Sequence, residues 1–266
     1  MISQEELKNI CASVEALSLA IGTYISGQRV DADQIESKSF NNLVSHVDKE
    51  AENRFVAGLK HIFPEAGFIG EEGHLDRGKS GWDWIIDPLD GTTNFLHGLP
   101  FWCTSVALVY KNEPILGVIY SPVTAELFSA WKNGGCFLNG SPCKVSGVNQ
   151  LKNSLIATGF PYDDFGKQEA YMRLLKELMP QSRGIRRIGS AALDLAYVAC
   201  GRFETFYEYG LNSWDVAAGI IQVREAGGIV TDFQNTPDAL FSEELCASNG
   251  SIHQDILEMI RIHFLR

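Results

Sequence analysis

The chain has 266 residues and a formal net charge of −11, from 33 acidic against 22 basic side chains. That balance weighs against the basic face a nucleic-acid binder needs, while an apolar fraction of 45% is ample for a sizeable core. The length admits one large domain or two intimate halves. At the N-terminus, Leu7, Ile10, Cys11, Val14, Leu17 and Ile21 fall on one helical face behind a Ser3–Glu6 capping box. Glu5 and Glu6 stand where a signal peptide carries bases, and no window reads as a membrane span, so a cytoplasmic protein is expected. The six cysteines (Cys11, Cys103, Cys136, Cys143, Cys200, Cys246) form no CxxC pair and read as thiols of a reducing compartment.

A second helix is predicted from about His46 to Ile62, ending before Pro64. Strands are predicted at Thr104–Tyr110 and Ile115–Tyr120, then at Glu126–Trp131 and Cys136–Leu138, as an antiparallel meander. From about residue 151 strands and helices alternate. Leu155–Thr158 reads as a strand, Gln168–Leu178 as a helix, Ser190–Cys200 as a helix stopped by Gly201, and Phe203–Glu208 as a strand. A helix from Trp214 to about Glu225, a strand at Gly228–Thr231 and a last helix near Ile252–His263 complete the chain. The pattern gives an N-terminal α+β half, about 1–150, and a C-terminal α/β half, about 151–266, within one domain spanning 1–266.

The segment Trp84-Ile85-Ile86-Asp87-Pro88-Leu89-Asp90-Gly91-Thr92-Thr93-Asn94-Phe95 concentrates the chemistry. An apolar run ends in a carboxylate, a proline turn delivers a second, and Gly-Thr-Thr opens a helix. Alone, either acid is better read as a helix cap. Together they can share hard divalent cations, while the Gly91 and Thr92 amides face a phosphate. Two further acidic motifs strengthen that reading. Gly70-Glu71-Glu72-Gly73 follows a short apolar run, and Asp215 opens the helix Trp214-Asp215-Val216-Ala217-Ala218-Gly219. By themselves these would be a solvated turn and a dipole-paired acid.

In combination these segments resemble the inositol monophosphatase family of Mg²⁺-dependent, lithium-sensitive phosphatases. Its signatures D-P-[ILV]-D-G-T-x-x-[FY] and W-D-x-[AG]-[AG]-G stand at 87–95 and 214–219, with the Glu-Glu pair upstream. The resemblance implies a layered α/β/α/β/α sandwich of the inositol monophosphatase and fructose-1,6-bisphosphatase type, often a homodimer. It implies two or three Mg²⁺ ions. Glu71, Asp87 and the Leu89 carbonyl would hold one, and Asp87, Asp90 and Asp215 the next. Direct attack by a cation-activated water is implied, with Thr92 orienting that water and Asp48 behind Thr92. Asp48 has a plain structural reading too, as the third residue of a helix capped by Ser45. Asp90, Gly91, Thr92 and Asp215 would also contact the phosphate end of the substrate. Glu208 would read vicinal hydroxyls and Ala192 would face the ring through its backbone. Lys38 resembles a mobile-loop cation, although a lone polar-loop lysine is more often simply solvated.

The expected substrate is a small phosphorylated polyol or sugar, inositol 1-phosphate first, with no nucleic-acid or membrane partner. Asn212 stands where some family members carry His, which leaves the polyol open. The alternatives are a 3′(2′),5′-bisphosphate nucleotidase, a fructose-1,6-bisphosphatase and a histidinol-phosphatase. Thr93 replaces the lysine frequent in the nucleotidase branch, and Arg186 and Arg187 are candidate cations for a second phosphate. An aspartyl-phosphate mechanism wants D-x-D where this chain has D-x-x-D. A metal-binding regulatory or interaction protein is the non-enzymatic alternative.

Overall fold

The structure, a computed structural model, describes residues 2–30, 36–37, 43–161 and 165–264. The chain runs α1 (Gln4–Ser26), β1 (Glu36–Ser37), β2 (Leu43–Val44), α2 (His46–Ile62), β3 (Gly67–Gly70), β4 (Leu75–Asp76), β5 (Trp82–Asp90) and α3 (Thr92–Leu96). The meander follows as β6 (Cys103–Tyr110), β7 (Glu113–Ser121), β8 (Glu126–Trp131), β9 (Gly135–Leu138) and β10 (Ser141–Cys143). Then come β11 (Leu155–Thr158), α4 (Gln168–Leu178), β12 (Gly184–Arg186), α5 (Ala191–Ala199) and β13 (Thr205–Tyr209). The chain closes with α6 (Ser213–Glu225), β14 (Ile229–Thr231), β15 (Glu244–Ser248) and α7 (His253–Phe264).

Two sheets organise these elements. The eight-stranded sheet has the order β10-β9-β8-β7-β6-β5-β3-β4 and is antiparallel except where β3 runs parallel to β5. The five-stranded sheet has the order β12-β11-β13-β15-β14. Its β12, β11 and β13 are parallel, and β15 is antiparallel to both its neighbours. Lys111 and Asn112, both at positive φ (49° and 66°), turn β6 into β7, a tight reversal whose twist suits the flanking strands.

Side-chain alternation along each strand builds five layers. On β5, Trp84 and Ile86 face Val14 and Ile21 of α1 and Ala51, Phe55 and Leu59 of α2, while Ile85 joins the opposite cluster. That opposite cluster packs the eight-stranded sheet against α5 and α6 through Leu193, Ala196, Ala217, Ile220 and Val223, and continues to Phe206 and Ala247 on the second sheet. Beyond it, Tyr207 and Cys246 face Leu174 and Leu178 of α4 and Ile256 and Ile260 of α7. The order is thus the α/β/α/β/α sandwich expected. Phe55 is fully buried, and truncating it to alanine would cost about 3–5 kcal/mol.

The predicted elements recur with small shifts. The helix after Gly189 starts at Ala191 because Ser190 caps it, its side chain accepting from the Leu193 amide. The strand expected from Phe203 begins at Thr205. Six strands had no prediction: β1, β2, β4, β10, β12 and β15. β15 lies between β13 and β14 with helices over both faces. A strand covered on both sides needs no polar alternation, and Glu-Leu-Cys-Ala-Ser displays none. Among the described residues no helix is long and apolar enough to cross a membrane. All six cysteines are free thiols.

Candidate active site

One cavity lies where β5, β13 and the N-terminal ends of α3, α5 and α6 meet. Its walls include Glu71, Asp87, Leu89, Asp90, Gly91 and Thr92, with Glu208, Asn212 and Asp215 opposite. The two acids of β5 reach it because the ladder is irregular. Asp87 pairs with Ser105 and Asp90 with Cys103, so three residues on β5 span two on β6. A flat strand would send Asp87 and Asp90 to opposite faces; the extra residue puts them on the same one. Pro88, which has no N–H, sits in that gap. The Leu89 amide turns back to donate to Asp87 Oδ1 at 3.0 Å.

Gly91 follows at φ 88°, where an added Cβ would lie 2.7 Å from the Phe101 carbonyl. Gly91, and not Asp90, is the N-cap of α3, and no side chain caps that end. The first-turn amides are therefore available to an anion. The Thr92 hydroxyl lies within 2.9 Å of both Asp48 Oδ1 and the Leu89 carbonyl. Asp48 is buried behind Thr92 and does not line the cavity. Its other oxygen accepts from the Ser45 amide (2.9 Å) and hydroxyl (2.7 Å). The capping reading and the contact with Thr92 thus hold at once.

Glu71 is placed by the parallel β3–β5 pairing, since its amide donates to the Ile86 carbonyl at 3.2 Å, beside Asp87. The turn after it is held from below by Glu52. That buried carboxylate accepts from the Glu72 amide (2.8 Å), the His74 amide (3.2 Å) and His74 Nδ1 (2.6 Å). Asp90 Oδ2 is likewise held, by the Ser190 hydroxyl (2.6 Å) and the Ala192 amide (2.8 Å). Asp215 accepts from the Asn212 amide at 2.6 Å, in the first turn of α6.

Crowded acids shape the electrostatics. Burial, then Glu71, Asp90 and Asp215, push the Asp87 carboxyl well above the usual range. Burial likewise lifts Asp90, to about 6, although its bonds from Ser190 and Ala192 pull the other way. Asp215 is driven well up by burial and by the charges of Asp90 and Glu71. Among the described residues no three His, Cys, Asp or Glu side chains close into a ready cation cage. The donor set is nevertheless all oxygen, as Mg²⁺ requires, and a divalent cation is the charge that would relieve its mutual repulsion. The residues fit the metal.

The cavity is also lined by Glu208, Asp194 and Arg187, whose charges act on one another. Burial raises Glu208 to about 8, with Arg187 opposing. Gly159 packs flat on Glu208: an added Cβ would fall about 1.9 Å from the carboxylate. Ala191 lines the cavity and Ala192 does not; the Ala192 amide donates to Asp90. Both arginines are exposed, but Arg187 lines the cavity, whereas Arg186 donates to the Ile185 carbonyl. Lys38 lies outside the described residues.

Sequence reasoning missed Ser190, Glu52 and Asp194. Asp194 had a signal, being the sole charge in the apolar stretch 190–200. Glu52, on a charged helix, had none.

Comparison with known proteins places the chain in a family. Residues 3–263 match the model of the inositol monophosphatase family. A Nus factor SuhB from Pseudomonas aeruginosa is 41% identical over 241 residues, 89% of each chain. An inositol-1-monophosphatase from Mesorhizobium japonicum is 40% identical over 229 residues, 86% of each chain. The crystal structure of the extragenic suppressor protein SuhB from Bartonella henselae superposes with a TM-score of 0.88 at 37% identity, covering 94% of this chain and 97% of that one. With a family match across nearly its whole length and relatives at 40–41% identity, the chain belongs to the inositol monophosphatase family.

Proposed function

We propose that this chain hydrolyses a small phosphate monoester with Mg²⁺, inositol 1-phosphate first, releasing inositol and phosphate. The observation that carries the reading is one cavity lined by Glu71, Asp87, Leu89, Asp90 and Asp215, beside a Thr92 hydroxyl tied to buried Asp48. Glu71, Asp87 and the Leu89 carbonyl would hold one cation, and Asp87, Asp90 and Asp215 another. Bound Mg²⁺ supplies Lewis acidity to water and to the phosphoryl oxygens. Thr92, its proton directed at Asp48, offers lone pairs that orient the attacking water, and Asp48 takes up the proton through it. The uncapped amides at the start of α3 hold phosphate oxygens as charge builds. Glu208 binds neighbouring hydroxyls of the polyol. Asp90 and Asp215 serve the phosphate end as well as the cations.

The Mesorhizobium japonicum relative, named an inositol-1-monophosphatase, supports the substrate. We read the chain as one domain of two halves, cytoplasmic and homodimeric, with Li⁺ inhibiting. A phosphate-release screen tests the activity, using inositol 1-phosphate, fructose 1,6-bisphosphate, 3′-phosphoadenosine 5′-phosphate and histidinol phosphate with Mg²⁺. Arg187 in the cavity favours a bisphosphate as the second reading, and fastest turnover of fructose 1,6-bisphosphate would select it. The name Nus factor on the Pseudomonas aeruginosa relative supports an added interaction role. An Asp87→Asn chain that loses turnover yet rescues a deletion strain would select that.

A further inference from the structure

Asp194 is a buried acid with no assigned task. It sits on α5, in the turn after the Ser190 cap, and is 1% exposed. Its Oδ1 has no hydrogen-bond partner in the protein. It nevertheless lines the cavity, on the side of Glu208 and away from solvent. An unpaired buried carboxyl oxygen is costly to keep, and the cost is offset when a ligand supplies the missing partner.

Resting on the phosphatase reading above, we propose that Asp194 hydrogen-bonds a further hydroxyl of the polyol, beside those bound by Glu208, so that the cavity selects a polyol with contiguous free hydroxyls. Two features commit the site to a hydroxyl and not to an ammonium group. Arg187 already brings a positive charge to this end of the cavity, its guanidinium standing 5.5 Å from the Phe160 ring centre. Burial and the charges of Glu208 and Asp90, with Arg187 opposing, also hold the Asp194 carboxyl well above the usual range, which favours its protonated form. A protonated carboxyl both donates and accepts, as a hydroxyl does. Placed on a helix whose first turn also fixes Asp90, Asp194 would couple the recognised hydroxyl to the phosphate end without contacting it.

The test compares the wild-type protein with Asp194→Ala and Asp194→Asn, all with Mg²⁺. Substrates are inositol 1-phosphate, the set of its mono-deoxy analogues, and 4-nitrophenyl phosphate, which offers no hydroxyls. In the wild type, removal of the hydroxyl facing Asp194 should lower kcat/KM by roughly tenfold, the scale of one well-made hydrogen bond. In Asp194→Ala that same deoxy analogue should show no further loss against inositol 1-phosphate. Turnover of 4-nitrophenyl phosphate should change by about twofold or less. Asp194→Asn, nearly isosteric, should restore part of the discrimination, and it carries the comparison if the alanine chain does not fold. Equal losses on every ester, or a deoxy penalty that persists in both variants, would return Asp194 to a helix-dipole role and overturn the proposal. A wild-type protein that hydrolyses none of these esters would instead overturn the phosphatase reading beneath it.

Discussion

The Thr92 hydroxyl donates to Asp48 Oδ1 at 2.9 Å across 44 residues of chain, and joins the start of α3 to the start of α2. The second Asp48 oxygen is occupied by Ser45. One carboxylate therefore closes a helix cap and fixes the direction of a cavity hydroxyl.

An amide cannot do both. In Asp48→Asn the side-chain NH₂ must face either Ser45 or Thr92, and turning it toward Thr92 preserves the cap. Stability should fall by about 1 kcal/mol or less, since the Asn carbonyl at this third helical position still accepts from Ser45 in the capping box. Meanwhile kcat should fall by about 10² or more with the loss of the base. A stable and fully active Asn chain, read by thermal melt and phosphate release, would leave Asp48 with the cap alone.

Thr92→Ala separates orientation from metal holding. The hydroxyl is not among the expected metal ligands, so Mg²⁺ affinity by calorimetry should stay within about twofold of wild type while kcat drops by about 10². Asp90→Asn should lower both. Matching losses of affinity in the two variants would put Thr92 among the ligands.

Ser190 supports the site from α5. It accepts from Leu193 as the helix cap and donates to Asp90 at 2.6 Å. Ser190→Ala should cost about 1 kcal/mol of stability and also weaken Mg²⁺ binding, because Asp90 loses the bond that favours its charged form. Loss of stability with unchanged Mg²⁺ affinity would confine Ser190 to capping.

Burial lifts Glu208 from 4.5 to about 8. The folded chain keeps a proton there that the unfolded chain releases. The resulting stability is present below the unfolded value and declines as pH rises from about 4.5 toward about 8. In chelator, the melting temperature should therefore drift down across that window, and Glu208→Gln, which has nothing to titrate, should flatten the drift. Parallel slopes for the two proteins would contradict the assignment.

Local patterns carried much of this in the sequence. The α2 bounds followed from the Ser45 cap and Pro64, the meander from apolar runs separated by turn residues, and the acid motifs marked the residues that meet. The Pro88 turn hinted at a bend, but the two-against-three register that aligns Asp87 with Asp90 depends on β6, which local sequence does not reveal. The same holds for Arg187. Neighbouring Arg186 is its chemical equal, and only the path of the chain from β12 into α5 separates the two. Glu52 acts wholly through tertiary contact with the turn after β3, beyond the reach of any periodicity.

The central claim is metal-dependent phosphoryl hydrolysis in the cavity of Glu71, Asp87, Asp90 and Asp215. The direct measurement is phosphate release from inositol 1-phosphate by the metal-stripped protein, in chelator and after titration with Mg²⁺. The account predicts no turnover in chelator, recovery with Mg²⁺, and inhibition of the recovered activity by Li⁺. Full turnover by the stripped protein in chelator, or none after Mg²⁺ is restored, would contradict it.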